Sequence, residues 1–334
     1  MRSSVEWENI VNSCQISVII VNYNAGEKLL KCVQSLVDCN LQLEIIVVDN
    51  NSSDTSISDV SNEFRHFRHI QLIQNQENLG FATACNIGAR SAGGEYLLFL
   101  NPDCEIDQSA ITKLIRCFEE TPQTGMAGGR ILNSDGSEQV GCRRLIPTPW
   151  RALLRVCHLS FLARVFPRYF ENFNLNQQEV PDGPVEVEAI SGACMLVSRE
   201  SFADVGGMDE EYFLHCEDLD WCMSFRNRGW KIMFVPDARL AHFQGTCSKS
   251  RPIFVEWHKH HGMVRFYRKH FTGQYPAVLM WLVMASVWLR FSLLCCYYSC
   301  RKLLNREKTA SVESEVQFQE GRSPDEYVQQ KIAG

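Results

Sequence analysis

The chain has 334 residues and a formal net charge of −6, so nothing in its charge points to nucleic acid as a partner. Its apolar fraction of 45% allows a sizeable core, in one large or two small domains. The fifteen cysteines are scattered without Cys-x-x-Cys spacing, and no apolar signal segment precedes Ile16. We therefore expect reduced core thiols, no structural zinc site and a protein that faces the cytoplasm.

The first hundred residues contain several apolar segments that have the length of buried strands. They are Ile16–Asn22, Glu44–Asp49, the shorter Ile70–Ile73, and Tyr96–Leu100. Helical patterns alternate with them, which predicts an α/β fold with one mainly parallel sheet and right-handed crossovers. No Gly-x-Gly-x-x-Gly motif follows the first strand, and this disfavours a dinucleotide-dependent dehydrogenase.

Polar residues follow these strands at the carboxyl edge of the predicted sheet, where open α/β sheets bind ligands. Asn22 and Asn24 follow the first strand. Asp49 ends the second strand and could bind a ribose or a base, or could cap a turn. Asp103 and Glu105 follow the fourth strand and could supply oxygen ligands for Mg²⁺ or Mn²⁺, although Asp103 could also cap the next helix.

Before the fourth strand, a loop meets the amino end of a helix, a position that favours anionic groups. Asn78 and Gly80 lie in this loop, and Asn86 lies in the helix that follows. The three residues are therefore candidates for binding a phosphorylated ligand. Ordinary turn and packing chemistry is the alternative interpretation of each.

The second half of the chain begins with a basic, apolar segment, Arg143–Phe170, which could lie on a membrane surface or pack on the core. Val185–Ile190 and Cys194–Val197 are predicted to form a strand pair. The small residues Gly192 and Ala193 interrupt this pair, and they would let a ligand approach the backbone closely.

Two adjacent carboxylates, Glu217 and Asp218, begin a predicted helix. The helix dipole would keep a carboxylate ionised at this position, as a general base must be, although plain helix-start carboxylates are common. Lys231–Val235 is a further predicted strand. After it, Pro236-Asp237-Ala238 is expected to turn the chain towards His242.

The ordered set of motifs resembles the family 2 glycosyltransferases, and within them the bacterial rhamnosyltransferase-like branch. The resemblance covers roughly residues 15 to 270. The motifs that carry it are Val18-Ile19-Ile20-Val21-Asn22-Tyr23-Asn24, Val47-Val48-Asp49-Asn50-Asn51-Ser52-Ser53-Asp54, Asn78-Leu79-Gly80, Asn86-Ile87-Gly88, Leu100-Asn101-Pro102-Asp103, Ser191-Gly192-Ala193, Phe213 to Trp221, and Pro236-Asp237-Ala238 with His242.

This resemblance implies a GT-A fold and transfer, with inversion, from a nucleotide-diphosphate sugar assisted by Mg²⁺ or Mn²⁺. Asp49 matches the residue that contacts the nucleoside, and Asp103 matches the last carboxylate of the Asp-x-Asp metal motif. Asp218 matches the catalytic base, and His242 matches a histidine that joins the metal or pyrophosphate site. Asn101 replaces the first Asp of the metal motif, which leaves fewer charges on the metal.

The C-terminal part is basic and then apolar. Ile253–Phe271 is predicted to be a basic helix close to an acidic surface or a diphosphate. Ala277–Tyr298 is apolar except for Arg290 and could span a bilayer, lie in its interface or close a homodimer. Arg301–Gly334 is polar and expected to be disordered.

We therefore expect an N-terminal extension (1–14), a GT-A domain (15–272) with a nucleotide-sugar-binding half (15–135) and an acceptor-binding half (136–272), an apolar membrane helix (273–304) and a disordered tail (305–334).

The resemblance implies a rhamnosyltransferase that uses dTDP-rhamnose and a saccharide or lipid-linked saccharide acceptor. It would act at the cytoplasmic face of the inner membrane, in cell-surface polysaccharide synthesis. The alternatives are a UDP-sugar hexosyl- or N-acetylhexosaminyltransferase and an inactive membrane scaffold. A nucleotidyltransferase is disfavoured, because no Gly-rich basic phosphate loop follows Val21.

Overall fold

A computed structural model describes residues 15–156, 174–243 and 251–320, with side chains for 15–153, 174–243 and 251–302. The predicted N-terminal extension and residues 157–170 of the basic segment lie outside these residues. The described strands are β1 (Ile16–Asn22), β2 (Leu43–Asp49), β3 (Ile70–Gln74), β4 (Tyr96–Leu100), β5 (Cys104–Ile106), β6 (Thr124–Leu132), β7 (Arg143–Arg144), β8 (Val185–Glu186), β9 (Ala189–Ile190), β10 (Cys194–Ser198) and β11 (Lys231–His242).

Helices separate the strands and cover the sheet. They are α1 (Glu27–Val37), α2 (Ser56–Glu63), α3 (Phe81–Ser91), α4 (Gln108–Glu120), α5 (Pro149–Val156), α6 (Arg199–Val205), α7 (Glu217–Asn227), α8 (Pro252–Phe271) and α9 (Ala277–Glu320).

Within the described residues, nine strands form one sheet in the order β3-β2-β1-β4-β10-β6-β11-β5, with β8 also paired to β11. Strands β1 to β4 run parallel, β10 runs antiparallel between β4 and β6, and β11 is parallel to β6. The predicted mixed, mainly parallel α/β sheet is confirmed. Every residue of β1 and β4 is buried, which explains why β4 is an unbroken apolar run and why β1 is apolar apart from Ser17 and Asn22.

The predicted strand pair of Val185–Ile190 with Cys194–Val197 is wrong. β10 is inserted between β4 and β6, whereas β8 pairs with β11 and β9 pairs with β7. The cause is burial, because Cys194–Val197 is an apolar run at most 1% exposed and so belongs in the middle of a sheet.

The predicted turn at Pro236-Asp237-Ala238 is a local irregularity within a longer strand. β11 continues through it to His242, and its register against β6 shifts between Val235 and Arg239. A bulge of this kind re-aims the strand without ending it. The strand therefore carries His242 beside β5, opposite Cys104.

The C-terminal helix is longer than the apolar segment that predicted it. α9 runs from Ala277 to Glu320, so the expected disorder from residue 305 is corrected as far as residue 320. No Gly or Pro stands between Pro276 and Gly321, and nothing in the sequence therefore breaks the helix. Ala277–Lys302 is long and apolar enough to cross a membrane by length and composition alone. Most described cysteines, including Cys32 and Cys194, are buried free thiols, as expected.

Candidate active site

The carboxyl ends of β1 and β2 meet through the side chains of Asn22 and Asp49. Their backbones are in register, and the Asn22 Nδ2 donates to Asp49 Oδ1 at 2.7 Å. The hydroxyl and backbone N–H of Ser52 also donate to the Asp49 carboxylate, at 2.6 and 3.1 Å. Asp49 therefore organises the local turn, as one interpretation holds. It does so at the sheet edge where a ribose or a base would bind, so the other interpretation stays open.

Asn24 fastens the β1 loop to the β2 loop. It adopts the left-handed conformation (φ 53°), and its Oδ1 accepts hydrogen bonds from the backbone N–H groups of Ser53 and Asp54 at 2.7 and 3.2 Å. Asparagine tolerates this conformation better than most residues. The two loops are consequently held together by hydrogen bonds at this edge of the sheet.

Gly80 is required by a close backbone approach. Its φ is 87°, and a Cβ atom there would lie 2.7 Å from the carbonyl oxygen of Phe213. The Asn78 side chain accepts a hydrogen bond from the Gly80 N–H at 3.0 Å. The close approach of Gly80 to Phe213 joins the start of α3 to the segment that leads into α7.

Asn86 is engaged in contacts with the segment around Met208. It is buried, and its amide donates to the carbonyl of Met208 at 2.8 Å and accepts from the Met208 N–H at 2.9 Å. Both polar groups are thus engaged by one backbone segment. We assign Asn86 to the attachment of that segment to α3 and do not retain it in the donor site.

Asp103 and His242 form the centre of a group that could hold a metal ion. Asp103 Oδ1 lies 3.0 Å from His242 Nε2, and these atoms gather with Cys104 Sγ within 4.8 Å of one another. Gln139 Oε1 lies 2.7 Å from His242 Nδ1, and when this oxygen accepts a hydrogen bond from Nδ1–H, the lone pair of Nε2 faces Asp103. Burial raises the pKa of the Cys104 thiol well above its ordinary value, so the thiol stays protonated. The remaining carboxylate and imidazole suit Mn²⁺ or Mg²⁺.

The structure does not bring Glu105 to this group, as judged over the described residues. Glu105 is the central residue of β5, and its side chain points away from those of its buried neighbours Cys104 and Ile106. It instead lines a separate cavity of about 570 Å³ together with Asp38 and Arg239. Alternation along the strand therefore separates Glu105 from Asp103.

Lys28 is a cation beside the Asp103 carboxylate that the sequence patterns do not single out. Its Nζ lies 4.0 Å from Asp103 Oδ2 and donates to the carbonyl oxygen of Phe243. It stands in α1, far from Asp103 in sequence. On an amphipathic helix, a lysine has no local feature that marks it as part of a site.

Asp218 is held in a fixed orientation at the start of α7. Its Oδ2 accepts hydrogen bonds from Arg144 Nη2 at 2.5 Å and from the Gly192 N–H at 3.1 Å, and its Oδ1 accepts from the Leu219 N–H at 2.8 Å. Burial alone would raise the pKa of Asp218, but the Arg144 charge and these hydrogen bonds together hold it below its ordinary value. Asp218 is therefore ionised at neutral pH.

Glu217 behaves differently from its neighbour. Its burial, together with the charge of Asp218, raises the pKa of Glu217 to about 8. Its Oε2 has no hydrogen-bond partner among the described residues. The expectation that both carboxylates stay ionised is corrected for Glu217, because desolvation outweighs the stabilisation by the helix dipole.

Two successive residues join Asp218 to the group around Asp103. Gly192 donates its N–H to Asp218, while the carbonyl of the next residue, Ala193, accepts from the Asn101 N–H at 3.0 Å and from Cys104 Sγ at 3.6 Å. A Cβ atom on Gly192 would lie 3.2 Å from Asp218 Cβ, which explains the small residue there. Gly192 and Ala193 therefore connect Asp218 with the segment that carries Asp103 and Cys104.

Comparison with known proteins identifies the family. Residues 17–206 match the model of glycosyl transferase family 2. The chain belongs to this family. Similar curated proteins are N-acetylglucosaminyl-diphospho-decaprenol L-rhamnosyltransferase of Mycobacterium tuberculosis (26% identical; 84% of this chain, 92% of the relative) and dTDP-rhamnosyl transferase RfbF of Shigella flexneri (26%; 76% and 77%).

Two solved structures show the GT-A fold of this family 2 glycosyltransferase. One is mannosyltransferase PcManGT from Pyrobaculum calidifontis in complex with GDP-Man and Mn²⁺, with a TM-score of 0.53 at 16% identity, covering 82% of this chain and 69% of that one. The other is S. aureus TarS 1-349 in complex with UDP-GlcNAc, with a TM-score of 0.52 at 15% identity, covering 82% and 71%.

The basic residues at the end of α8 bind the glycosyltransferase's own carboxylates. Lys269 and His270 contact Asp220, each at 2.7 Å, and Arg265 and Lys269 contact Asp209 at 2.9 and 2.8 Å. The expectation that α8 faces an acidic surface or a diphosphate is therefore corrected for Arg265, Lys269 and His270. The contacts with Asp220 fasten α8 to α7, two residues beyond Asp218, and those with Asp209 fasten it to the segment before α7.

Proposed function

We propose that this glycosyltransferase transfers a sugar with inversion, and that the sugar is L-rhamnose from dTDP-rhamnose. The observation that carries the proposal is the link through Gly192 and Ala193 between an ionised, oriented Asp218 and the Asp103–His242 group. An inverting transfer needs a base on one side of the anomeric carbon and positive charge beside the leaving diphosphate on the other.

In the proposed reaction, Asp218 takes the proton of the acceptor hydroxyl while that oxygen attacks the anomeric carbon. The bond from this carbon to the diphosphate oxygen breaks in the same step, and the nucleoside diphosphate leaves. Oδ2 already accepts two hydrogen bonds, from Arg144 and Gly192, whereas Oδ1 accepts one. Oδ1 is therefore the atom with a free lone pair for the proton.

Asp103 and His242 would hold the divalent cation, and Gln139 would orient the histidine. A bound Mn²⁺ or Mg²⁺ supplies positive charge to the departing diphosphate. The Lys28 ammonium group beside Asp103 is a positive charge that the protein itself provides for the diphosphate, so less of that charge has to come from a cation held without the usual first Asp, which is Asn101 here.

The donor assignment is supported by the names of the two curated relatives, both of which are rhamnosyltransferases. The mycobacterial relative's name also supports a lipid-linked saccharide as the acceptor, for use in cell-surface polysaccharide synthesis at the cytoplasmic face of the membrane. We assign catalysis to residues 15–272, with the nucleotide sugar on 15–135 and the acceptor on 136–272. A scaffold without activity would have no need of both Asp103 and Asp218.

The test is release of nucleoside diphosphate by the purified full chain, supplied in turn with dTDP-rhamnose, UDP-glucose, UDP-GlcNAc and GDP-mannose. Each donor is tested with Mg²⁺, with Mn²⁺ and with chelator, in the presence of N-acetylglucosaminyl-diphospho-decaprenol. We expect release from dTDP-rhamnose with a divalent cation, an inverted anomeric configuration by NMR, and loss of transfer in Asp218→Asn with donor binding retained. The matched control is Asp182→Asn, at an exposed loop carboxylate.

Release from a UDP-sugar alone would move the donor assignment to that sugar. Retained anomeric configuration would refute the inverting mechanism. Loss of donor binding in Asp218→Asn, with the fold unchanged, would refute the role of Asp218 as the base. Absence of binding for every donor would favour the scaffold.

A further inference from the structure

The charge of the chain is distributed very unevenly. Residues 251–302 contain eight lysines and arginines but a single carboxylate, Glu256, in a chain whose total charge is −6. Glu256 is itself within 3.9 Å of Lys259 on the same helix. Arg265 and Lys269 are paired with Asp209 and Asp220, outside this region. The other cations, Arg290, Arg301 and Lys302 among them, still make the region formed by α8 and the first part of α9 cationic on an otherwise acidic protein, as expected of a surface that meets anionic partners.

One face of α9 is an exposed apolar strip. We define the apolar strip as Val278, Leu282, Leu289, Leu293 and Tyr297, whose spacings of four and seven residues place them on one side of the helix. Their side chains are between 44% and 71% exposed. Contiguous exposed apolar surface of this kind, with basic residues beside it, is characteristic of membrane-surface helices.

The amino end of α8 enlarges this surface. Ile253, Phe254 and Trp257 are each more than 40% exposed. The ring of Trp257 lies 5.4 Å from that of Trp288 and 5.6 Å from that of Phe291, so the two helices present their apolar residues side by side.

The other face of α9 is already occupied by the catalytic domain. Met280 and Val283 are buried, and Phe291 contacts the rings of Trp257 and His260 on α8. α9 therefore lies against α8 over residues 280 to 291. If α9 crossed a bilayer here, α8 and its charged residues would be drawn into the hydrocarbon, where charged side chains are disfavoured.

The rest of the apolar part is too short to span. Beyond Phe291, only about ten residues remain before Arg301, which is half of the roughly 20 that a crossing needs. A helix lying in the interface instead keeps the exposed Arg290, Arg301 and Lys302 at the level of the head groups while the apolar strip enters the acyl boundary.

We propose that α9 and the amino end of α8 form a docking surface for an anionic lipid bilayer, with α9 lying parallel to the membrane plane. This specifies the membrane location that the proposed function includes, and it rests on that function only for its biological setting. Its tests measure lipid binding and depth, so they do not depend on transferase activity; the Asp218→Asn variant should bind vesicles like the native chain.

The first test is flotation of the full chain with vesicles of phosphatidylcholine, alone or mixed with phosphatidylglycerol. We expect binding to the anionic vesicles, weakened by high salt. Leu289→Gln/Leu293→Gln should weaken binding by roughly a hundredfold or more, and Arg301→Gln/Lys302→Gln by roughly fivefold for each charge. The matched control is Val140→Gln, an exposed apolar residue outside the strip. Circular dichroism verifies that each variant is folded.

The second test measures how deeply α9 enters the bilayer. Fluorescence quenching by lipids brominated near the head group should exceed quenching by lipids brominated near the chain end, with Trp281→Phe isolating the signal of the exposed Trp281. Sodium carbonate should release the protein from vesicles. Deep quenching with resistance to carbonate would instead indicate a spanning helix and overturn the proposal. Equal binding to neutral vesicles would overturn the preference for anionic lipid. If the native chain is a dimer that does not bind vesicles, and Leu289→Gln/Leu293→Gln abolishes the dimer, the partner of the apolar strip is a second copy of the chain and the proposal is overturned.

Discussion

Replacing Arg144 by glutamine tests whether this arginine sets the charge and orientation of the proposed base. Arg144 Nη2 donates both to Asp218 and to the Ile190 carbonyl, at 2.5 and 2.8 Å. Both charged side chains are less than 20% exposed, so solvent screens the pair only weakly. A hydrogen bond to a charged group contributes about 1.5–3 kcal/mol. If that interaction is needed in the transition state, kcat should fall roughly 10- to 150-fold.

The pH profile separates this role from a purely structural one. In the native chain, burial would raise the pKa of Asp218, but Arg144 and the backbone hydrogen bonds together hold it below its ordinary value, so the acidic limb of kcat should lie below the range of an ordinary aspartate. Without the cation, only the hydrogen bonds from Gly192 and Leu219 oppose burial, and the limb should move to higher pH. Arg144→Lys keeps the charge and should restore much of the native profile. Arg116→Gln, in an exposed ion pair with Glu120, is the matched control.

The assay is dTDP release from dTDP-rhamnose between pH 5 and 8.5, with the lipid-linked acceptor present. The KM for the donor should change little, because Arg144 contacts the base and not the strand ends that would bind the nucleotide. An Arg144→Gln variant whose kcat falls while its acidic limb stays in place would refute this reasoning. Binding of dTDP, measured by its thermal shift, distinguishes a folded variant from a damaged one.

Two further predictions concern neighbouring charges. The pKa of Glu217 is raised to about 8 in the folded chain, so stability is lost as pH rises from the unfolded value to that point. The difference between the melting temperatures of Glu217→Gln and the native chain should therefore shift in favour of the variant as the pH rises from 5 to 8. A difference that stays constant over this range would contradict the reasoning. Lys28→Met removes a cation 4.0 Å from Asp103. The affinity for Mn²⁺, measured by electron paramagnetic resonance, should rise, whereas the affinity for dTDP, measured in the presence of chelator, should fall. Unchanged affinities would exclude Lys28 from the site.

Residues that follow apolar strands were the part of the site open to sequence reasoning. Tyr96–Leu100 is buried on both faces and ends at Asn101-Pro102, so the position of Asp103 followed from local pattern alone. The link between Arg144 and Asp218 spans 74 residues, and Arg144 is placed by the antiparallel pairing of β7 with β9, which no local pattern encodes. The double arginine at 143–144 was a signal, but its apolar surroundings equally favoured a membrane segment.

The charge state of Glu217 shows a second limit. Its position at the start of a helix favours ionisation, and the sequence contains no direct information about how deeply the side chain is buried. Desolvation decides the outcome, and it is a property of the packed chain. Glu105 illustrates the same point, because a two-residue spacing that could complete a metal site becomes a strand alternation once β5 is formed.

Gly262, in the middle of α8, touches the turn that precedes the proposed base. His215 and Cys216 in that turn both have left-handed backbones, with φ values of 67° and 72°. A Cβ atom at Gly262 would lie 2.9 Å from the His215 carbonyl oxygen and 3.3 Å from Cys216 Cβ. The helix therefore packs directly on this turn, at a position where only glycine fits without a shift. Any side chain at residue 262 would have to displace either α8 or the backbone that leads into Asp218.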